Sequence, residues 1–275
     1  MEDSHALQPI APDGADQWNV PMTDEVLLEE ADGILTVTIN RPAAKNAINL
    51  AVAVGIAAAI DRLDSTPALR VGILTGAGGT FCSGMDLKAF LGGEFPTVPG
   101  RGFGGITEGP PQKPMIAAIE GYALAGGFEV SLACDLAVAA EDAKFGIPEA
   151  RRGLCAAAGG LVRLPRVAPY RVAMEMALTG EFISAARAYE LGLVNRVVPK
   201  GEALAGARAL ARSIVANGPL AVAASKQVIR DQAEWSAAEI WKKQHTVTAP
   251  IFVSEDAREG AAAFAQKRAP NWQGK

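Results

Sequence analysis

PMIAAIEGYALAGGFEVSLACDLAVAAEDAKFG, residues 114–146, is the stretch whose reading decides the fold. PMIAAIEG is a short apolar run closed by glycine, and it reads as a strand. GYALAGGFEVSLACD (121–135) reads as the helix after it, with the adjacent Gly126 and Gly127 in its first turn. LAVAAEDAKFG returns as a further strand with its exit loop. Strand, turn, helix, strand is the order of parallel strands joined by crossover helices.

The same order extends outward. In GILTVTINRP, Leu35, Val37 and Ile39 turn inward with threonines between, and the strand stops at Pro42. LAVAVGIAAAIDRLDS follows as a helix, then VGILTGAGG as a strand running into glycines. AYELGLVNRVVP holds a helix end and a strand. From about Gly201 onward strands give way to helical patterns: ALAGARALARSIVANG, LAVAASKQVIRDQAEW and AREGAAAFAQKR. The expected organisation is a loose, polar N-terminal arm over 1–22, an α/β core over 23–200 and a C-terminal helical region over 201–275. No repeat of fixed period accompanies the alternation. From Leu91 to Pro114 half the residues are glycine or proline. Apolar strands flank this segment closely, which favours a mobile pocket wall over a linker.

Composition narrows the function. The 275 residues are 49% apolar, enough for one large core. The net charge of −4 is spread along the chain, with no basic stripe for nucleic acid. No uncharged run reaches the roughly 18 residues of a membrane span, and the acidic N-terminus is not a signal peptide. Cys82, Cys134 and Cys155 are too widely spaced for a disulfide framework or a thiolate metal site, and they fit a reducing cytoplasm. Only His5 and His245 are present, which supplies neither a Ser/His nucleophile system nor a histidine metal site.

Three stretches carry the chemistry. GAGGTFCSGMDL (76–87) follows a strand, but Phe81 occupies the third glycine position of the dinucleotide fingerprint. What remains is bare backbone around Gly84, just before Asp86. Gly126 and Gly127 open a helix whose leading N–H groups lack partners and carry the positive end of its dipole. A carbonyl oxygen gaining negative charge would dock there. Glu129 follows in the first turn, where an acid by itself stabilises the helix by about 0.3–1 kcal/mol. In KFGIPEARRGL (144–154), Glu149 follows a glycine turn, and Arg151 and Arg152 stand close enough in sequence to pair with it.

Together these stretches, with INRPAAKNAIN, TGEFISAARAYELGLVNRVVP and EDAREGAAAFAQKR, resemble the enoyl-CoA hydratase/isomerase (crotonase) superfamily, in order from about Val26 to Lys275. The resemblance implies repeated strand-strand-helix units wound into a spiral. It implies C-terminal helices that support a homotrimer or a dimer of trimers. It implies an acyl-CoA substrate with no permanent cofactor, in which coenzyme A is part of the substrate. By resemblance the backbone N–H groups of Met85 and Gly126 grip the thioester oxygen. Glu129 holds and deprotonates a water, and Glu149 exchanges a proton at the α-carbon. Ala44, Lys45 and Ala47, and the run Ser83, Gly84, Asp86, Leu87 and Lys88, would hold the CoA. Phe264 and Lys267 would approach its nucleotide from a neighbouring subunit.

The chain departs from the family pattern at CAAAGG (155–160), where Ala157 replaces a loop glycine that helps place the water. Arg151 and Arg152 also stand where that pattern is often apolar. The leading expectation is a 2-enoyl-CoA hydratase. The alternatives are a double-bond isomerase, a hydratase or dehydratase specialised for a carnitinyl or sterol-side-chain thioester, and a non-catalytic acyl-CoA-binding protein.

Overall fold

The structure, a computed structural model, describes residues 24–275. The arm over 1–22 lies outside the described residues. Eleven strands and ten α-helices are defined among those described. The chain begins with an antiparallel hairpin, β1 (Val26–Ala31) with β2 (Ile34–Ile39). Its two-residue turn, Asp32 and Gly33, has φ of 52° and 76°. That left-handed pair matches the twist of the flanking strands. From β2 onward the main sheet is parallel: β3 (Val71–Gly76), β6 (Met115–Ile119), β8 (Leu136–Ala140) and β11 (Arg196–Val198), in the order β1-β2-β3-β6-β8-β11.

Both faces of this sheet are covered, which is why its strands are nearly all apolar. Helix α1 (Leu50–Ser65) starts where the Asn49 side chain accepts the Val52 N–H at 3.0 Å. It buries Val52, Ile56, Ile60 and Leu63 among Leu35, Val37 and Ile39. On the other face α7 (Ala203–Val215) lays Ala207 and Ala211 against Ile73, Ile116 and Val138. Alanine at both positions lets the helix backbone approach closely.

A second, smaller sheet makes the fold a spiral. It pairs β7 (Tyr122–Leu124) with β9 (Lys144–Gly146) and β9 with β10 (Ile183–Ser184). Cys82 joins it through a bridge to Ala123. Each turn of chain therefore supplies one strand to the main sheet, one to the small sheet, and a helix. The turns are β3, Cys82 and α2 (Leu87–Leu91); β6, β7 and α3 (Gly126–Ala133); and β8, β9 and α4 (Gly160–Val167). This is the expected ββα spiral.

Two boundaries differ from the sequence reading. Residues 122–124 are a strand, so the helix begins only at Gly126. The exit loop after β8 contains β9. Both strands have three residues, too few for an alternating pattern to register. The segment 91–114 folds back as a small hairpin, β4 (Thr97–Val98) with β5 (Gly102–Phe103). Of that segment only Phe103 lines the cavity described below. Beyond the spiral lie α5 (Tyr170–Thr179), α6 (Ala185–Glu190), α8 (Pro219–Asp231), α9 (Ile240–Phe252) and α10 (Glu255–Gln266). Among the described residues no helix is long and apolar enough to cross a membrane.

Candidate active site

A cavity of about 880 Å³ has walls drawn from residues 41–47, 83–88, 122–129 and 148–158. Phe103 and Phe182 close its sides.

Two backbone donors meet in it. Ile48 and Met85 form an isolated parallel bridge in which the Ile48 N–H donates to Gly84 O at 2.8 Å and the Asp86 N–H donates to Ile48 O at 2.9 Å. Residues 84 and 86 thus use their polar groups toward Ile48, and Met85 turns its own N–H the other way. The second donor is Gly126, the first residue of α3. Neither N–H has a hydrogen-bond partner among the described residues. Gly84 brings the two segments together. Its φ is 106°, and a Cβ there would sit 2.8 Å from the Ala125 Cβ and 3.3 Å from the Gly126 nitrogen. Only glycine allows that approach. Ala125 pays for the geometry with φ 50° and ψ −131°, a conformation that costs a side-chain-bearing residue about 1–3 kcal/mol. Its N–H donates to Gly146 O at 2.8 Å, which pins the turn to β9. A Cβ on Gly126 would fall 2.5 Å from the Phe103 ring, so the ring packs against this glycine.

Glu129 sits one turn into α3 and is only 3% exposed. Its Oε1 accepts the Gly160 N–H at 2.8 Å. Burial pushes its carboxyl up to about 7, and the charge of Glu149 adds to the rise. The N–H groups of Gly160 and Ala158 and the Arg163 guanidinium hold it back. Glu149, in the 3-10 turn after β9, is half-buried. Burial raises it too, while its own backbone N–H and the nearby Arg152 charge pull it down. Its Oε2 is buried without a partner, an acceptor left open toward whatever fills the cavity. Arg151 is occupied elsewhere, donating to Thr179 O at 2.8 Å. Two carboxyl groups with different proton affinities, near two free donors, suit proton transfer to and from a carbonyl compound.

The residues expected to hold CoA fall on the 41–47 and 83–88 walls. Ala44, Lys45, Ala47, Ser83, Asp86, Leu87 and Lys88 line the cavity, and Gly84 lies directly behind it. Asn46 fixes this wall: it is fully buried at φ 55°, accepts the Arg41 N–H, and donates to Ala77 O and Thr80 O. Lys45 Nζ stands 5.8 Å above the Tyr122 ring. The Asp86 carboxylate is already committed: it caps α2 and pairs with Arg41 at 2.9 Å. Burial favours its neutral form, but the Arg41 hydrogen bond and the two capping N–H groups outweigh this and hold it below the usual carboxylate range. Phe264 and Lys267, on and just after α10, do not line the cavity of their own chain.

Several lining residues escaped sequence reasoning: Arg41, Phe103, Tyr122 and Phe182. So did the Gly160 N–H, for which the adjacent Gly159 and Gly160 before an apolar run were the available signal. Ala157 does not itself donate to Glu129. Its N–H turns back to Cys155 O at 2.8 Å, and the donors reaching Glu129 come from Gly160 and Ala158 instead.

Comparison with known proteins places these features in context. A sequence model described as enoyl-CoA hydratase/isomerase matches residues 29–275. An enoyl-CoA hydratase of Mycobacterium tuberculosis is 45% identical over 90% of this chain and 96% of its own. A carnitinyl-CoA dehydratase of Salmonella typhi is 42% identical over 92% of this chain and all of its own. Among solved structures, an enoyl-CoA hydratase from Mycobacterium tuberculosis H37Rv superposes with a TM-score of 0.90 at 57% identity, covering 91% of this chain and 99% of that one.

Proposed function

The chain belongs to the enoyl-CoA hydratase/isomerase family, and on that premise we propose that it adds water across the double bond of a 2-enoyl-CoA thioester. The observation that carries this reading is the pair Glu129 and Glu149 in one cavity with the unpartnered N–H groups of Met85 and Gly126.

The thioester oxygen docks between the two N–H groups. Attack of water at the β-carbon builds enolate charge on that oxygen, and each preformed donor lowers the barrier by about 3–4 kcal/mol. The Met85 side chain only shapes the pocket. The water loses a proton as it attacks, and the α-carbon gains one. Glu129 and Glu149 carry a single proton between them in the working state, so one accepts while the other gives. Sequence resemblance assigns the water to Glu129 and the α-carbon to Glu149. Burial pushes Glu129 up to about 7, so its carboxyl exchanges a proton readily near neutral pH. Lys45, Lys88 and the backbone of Ala44 and Ala47 hold the CoA, with Phe264 and Lys267 reaching the nucleotide of a neighbouring subunit. Trp241, Phe252, Val253 and Phe264, all exposed on the C-terminal helices of a single chain, support a homotrimer or dimer of trimers. No resident cofactor enters the reaction, and a cytoplasmic setting suits the free cysteines.

Incubation with crotonyl-CoA and with longer 2-enoyl-CoAs tests the proposal: the enoyl absorbance falls for at least one of them. Constant absorbance across the panel overturns it. Glu129→Gln separates hydration from isomerisation, since double-bond migration through Glu149 alone would survive the change and hydration collapses. The carnitinyl-CoA relatives make carnitinyl and sterol-side-chain thioesters the next compounds to try.

A further inference from the structure

Arg163 lies outside the cavity and has no role in the chemistry above. It stands on α4, one turn after Gly160, and its Nη2 donates to the Thr107 carbonyl. The guanidinium lies across the Cα of Gly159, so that a Cβ added there would fall on Nη1. Gly159 has φ 99°, and the next residue, Gly160, delivers its N–H to Glu129 Oε1 at 2.8 Å. A Cβ on Gly160 would itself come within 2.9 Å of that oxygen. The turn is therefore shaped on one side by the Glu129 carboxyl and on the other by the Arg163 side chain. Thr107 belongs to the glycine-rich segment that packs Phe103 against Gly126, so the same guanidinium ties that segment to the Gly159 turn.

We propose that Arg163 is a positioning residue for the reaction: by spanning Gly159 and the Thr107 carbonyl, it fixes the turn that presents the Gly160 N–H to Glu129. The planar fork matters as well as the charge, because one group must reach a carbonyl and cover a glycine at once. This inference rests on the hydratase reading for its kinetic readout. It carries a second readout that does not depend on turnover.

The charged groups around the pair are few. Glu129 faces Glu149 from the turn after β9 and Arg163 from α4, with the Gly160 and Ala158 N–H groups beside it. Arg163 in turn feels Arg166, Glu108 and the Cys134 thiol. Removing the guanidinium takes away a positive charge and loosens an N–H donor, and both changes make Glu129 hold its proton more tightly. In Arg163→Met, kcat falls roughly ten- to hundredfold with KM for the enoyl-CoA little changed, as expected when a reacting group is misplaced by about 1 Å. The alkaline limb of the pH–rate profile moves to higher pH. Arg163→Lys keeps the charge but not the fork, so kcat still falls while the limb moves less. Infrared titration of the protonated-carboxyl band that Glu129→Gln abolishes reports the same upward movement without any substrate. It therefore tests the inference even if no enoyl-CoA is turned over. Should Arg163→Met fail to fold, Arg163→Lys and the infrared band decide the matter. Turnover within about twofold of the parent, with an unmoved Glu129 band in the variants, overturns the proposal.

Discussion

Replacing Glu129 with glutamine is predicted to change stability relative to the parent by an amount that grows more favourable as pH rises. The carboxyl titrates near 7 in the folded chain against an ordinary value of 4.5. The unfolded chain therefore loses this proton first. The contribution of Glu129 to stability is fully present below about 4.5 and is lost as pH rises through about 7, where it levels off. At about 1.4 kcal/mol per pH unit, the native protein gives up about 3 kcal/mol by pH 8, about 1.4 at pH 5.5 and under ~0.5 at pH 4.5. Glutamine does not titrate, and its amide oxygen still accepts the Gly160 N–H. The stability difference between Glu129→Gln and the parent should thus rise by about 3 kcal/mol between pH 4.5 and 8. At roughly 2–4 °C per kcal/mol for a chain of this size, that is a readily measured shift in Tm. Denaturant midpoints at fixed protein concentration across this pH range provide the assay. Any constant offset from the substitution cancels, because only the slope is tested. A difference that stays flat or falls with pH would refute the account of Glu129 as a buried, reluctantly ionised acid.

The remaining predictions concern activity, folding and access. Hydration should follow a bell-shaped pH profile in kcat/KM, falling at low pH when both carboxyls are protonated and above about 7 when Glu129 also ionises; a profile still rising at pH 9 would contradict this. Gly84→Ala forces a Cβ against Ala125 at a φ of 106°, so the two donors separate and kcat drops roughly 10²–10³-fold with the fold retained by circular dichroism. Asn46→Ala strips three hydrogen bonds from a fully buried site and should cost about 2–4 kcal/mol in urea unfolding. Cys155 is the exposed cysteine and lines the cavity, whereas burial pushes Cys82 up to about 12. A maleimide should therefore label one thiol fast, abolish turnover as it does so, and be slowed by a bound acyl-CoA.

The parts of this architecture that announce themselves in sequence are those with a long repeating signal. Helices α1 and α7 bury apolar faces at helical spacing, and β2, β3, β6 and β8 are apolar runs covered on both sides. Strand β1 went unread, since as an edge strand it exposes Leu27, Glu29, Glu30 and Ala31 and shows no apolar alternation. Strands β7 and β9 were hidden because three residues flanked by glycine carry no period, and α3 is buried all round, so it shows no amphipathic stripe. At the site, Gly126, Glu129 and Glu149 could be read because each sits in a local motif. Phe103 and Arg163 could not. Their roles come from contacts with Gly126 and Thr107, each more than twenty residues away in the chain, and no local pattern encodes such meetings.

The bridge between Ile48 and Met85 has a consequence of parity. Along an extended strand, successive N–H groups face opposite sides, as even and odd numbers alternate. Met85 serves the cavity because Gly84 and Asp86, its two neighbours, are both spent on Ile48. Adding or removing one residue between Cys82 and Asp86 would invert that count: the cavity would receive a carbonyl or a side chain where it now receives a donor. Substitutions at Met85 are a matter of degree, because any residue but proline supplies an N–H. Length at this point is all or none. Position 85 is open to almost any change of letter, while the segment around it is closed to a change of count.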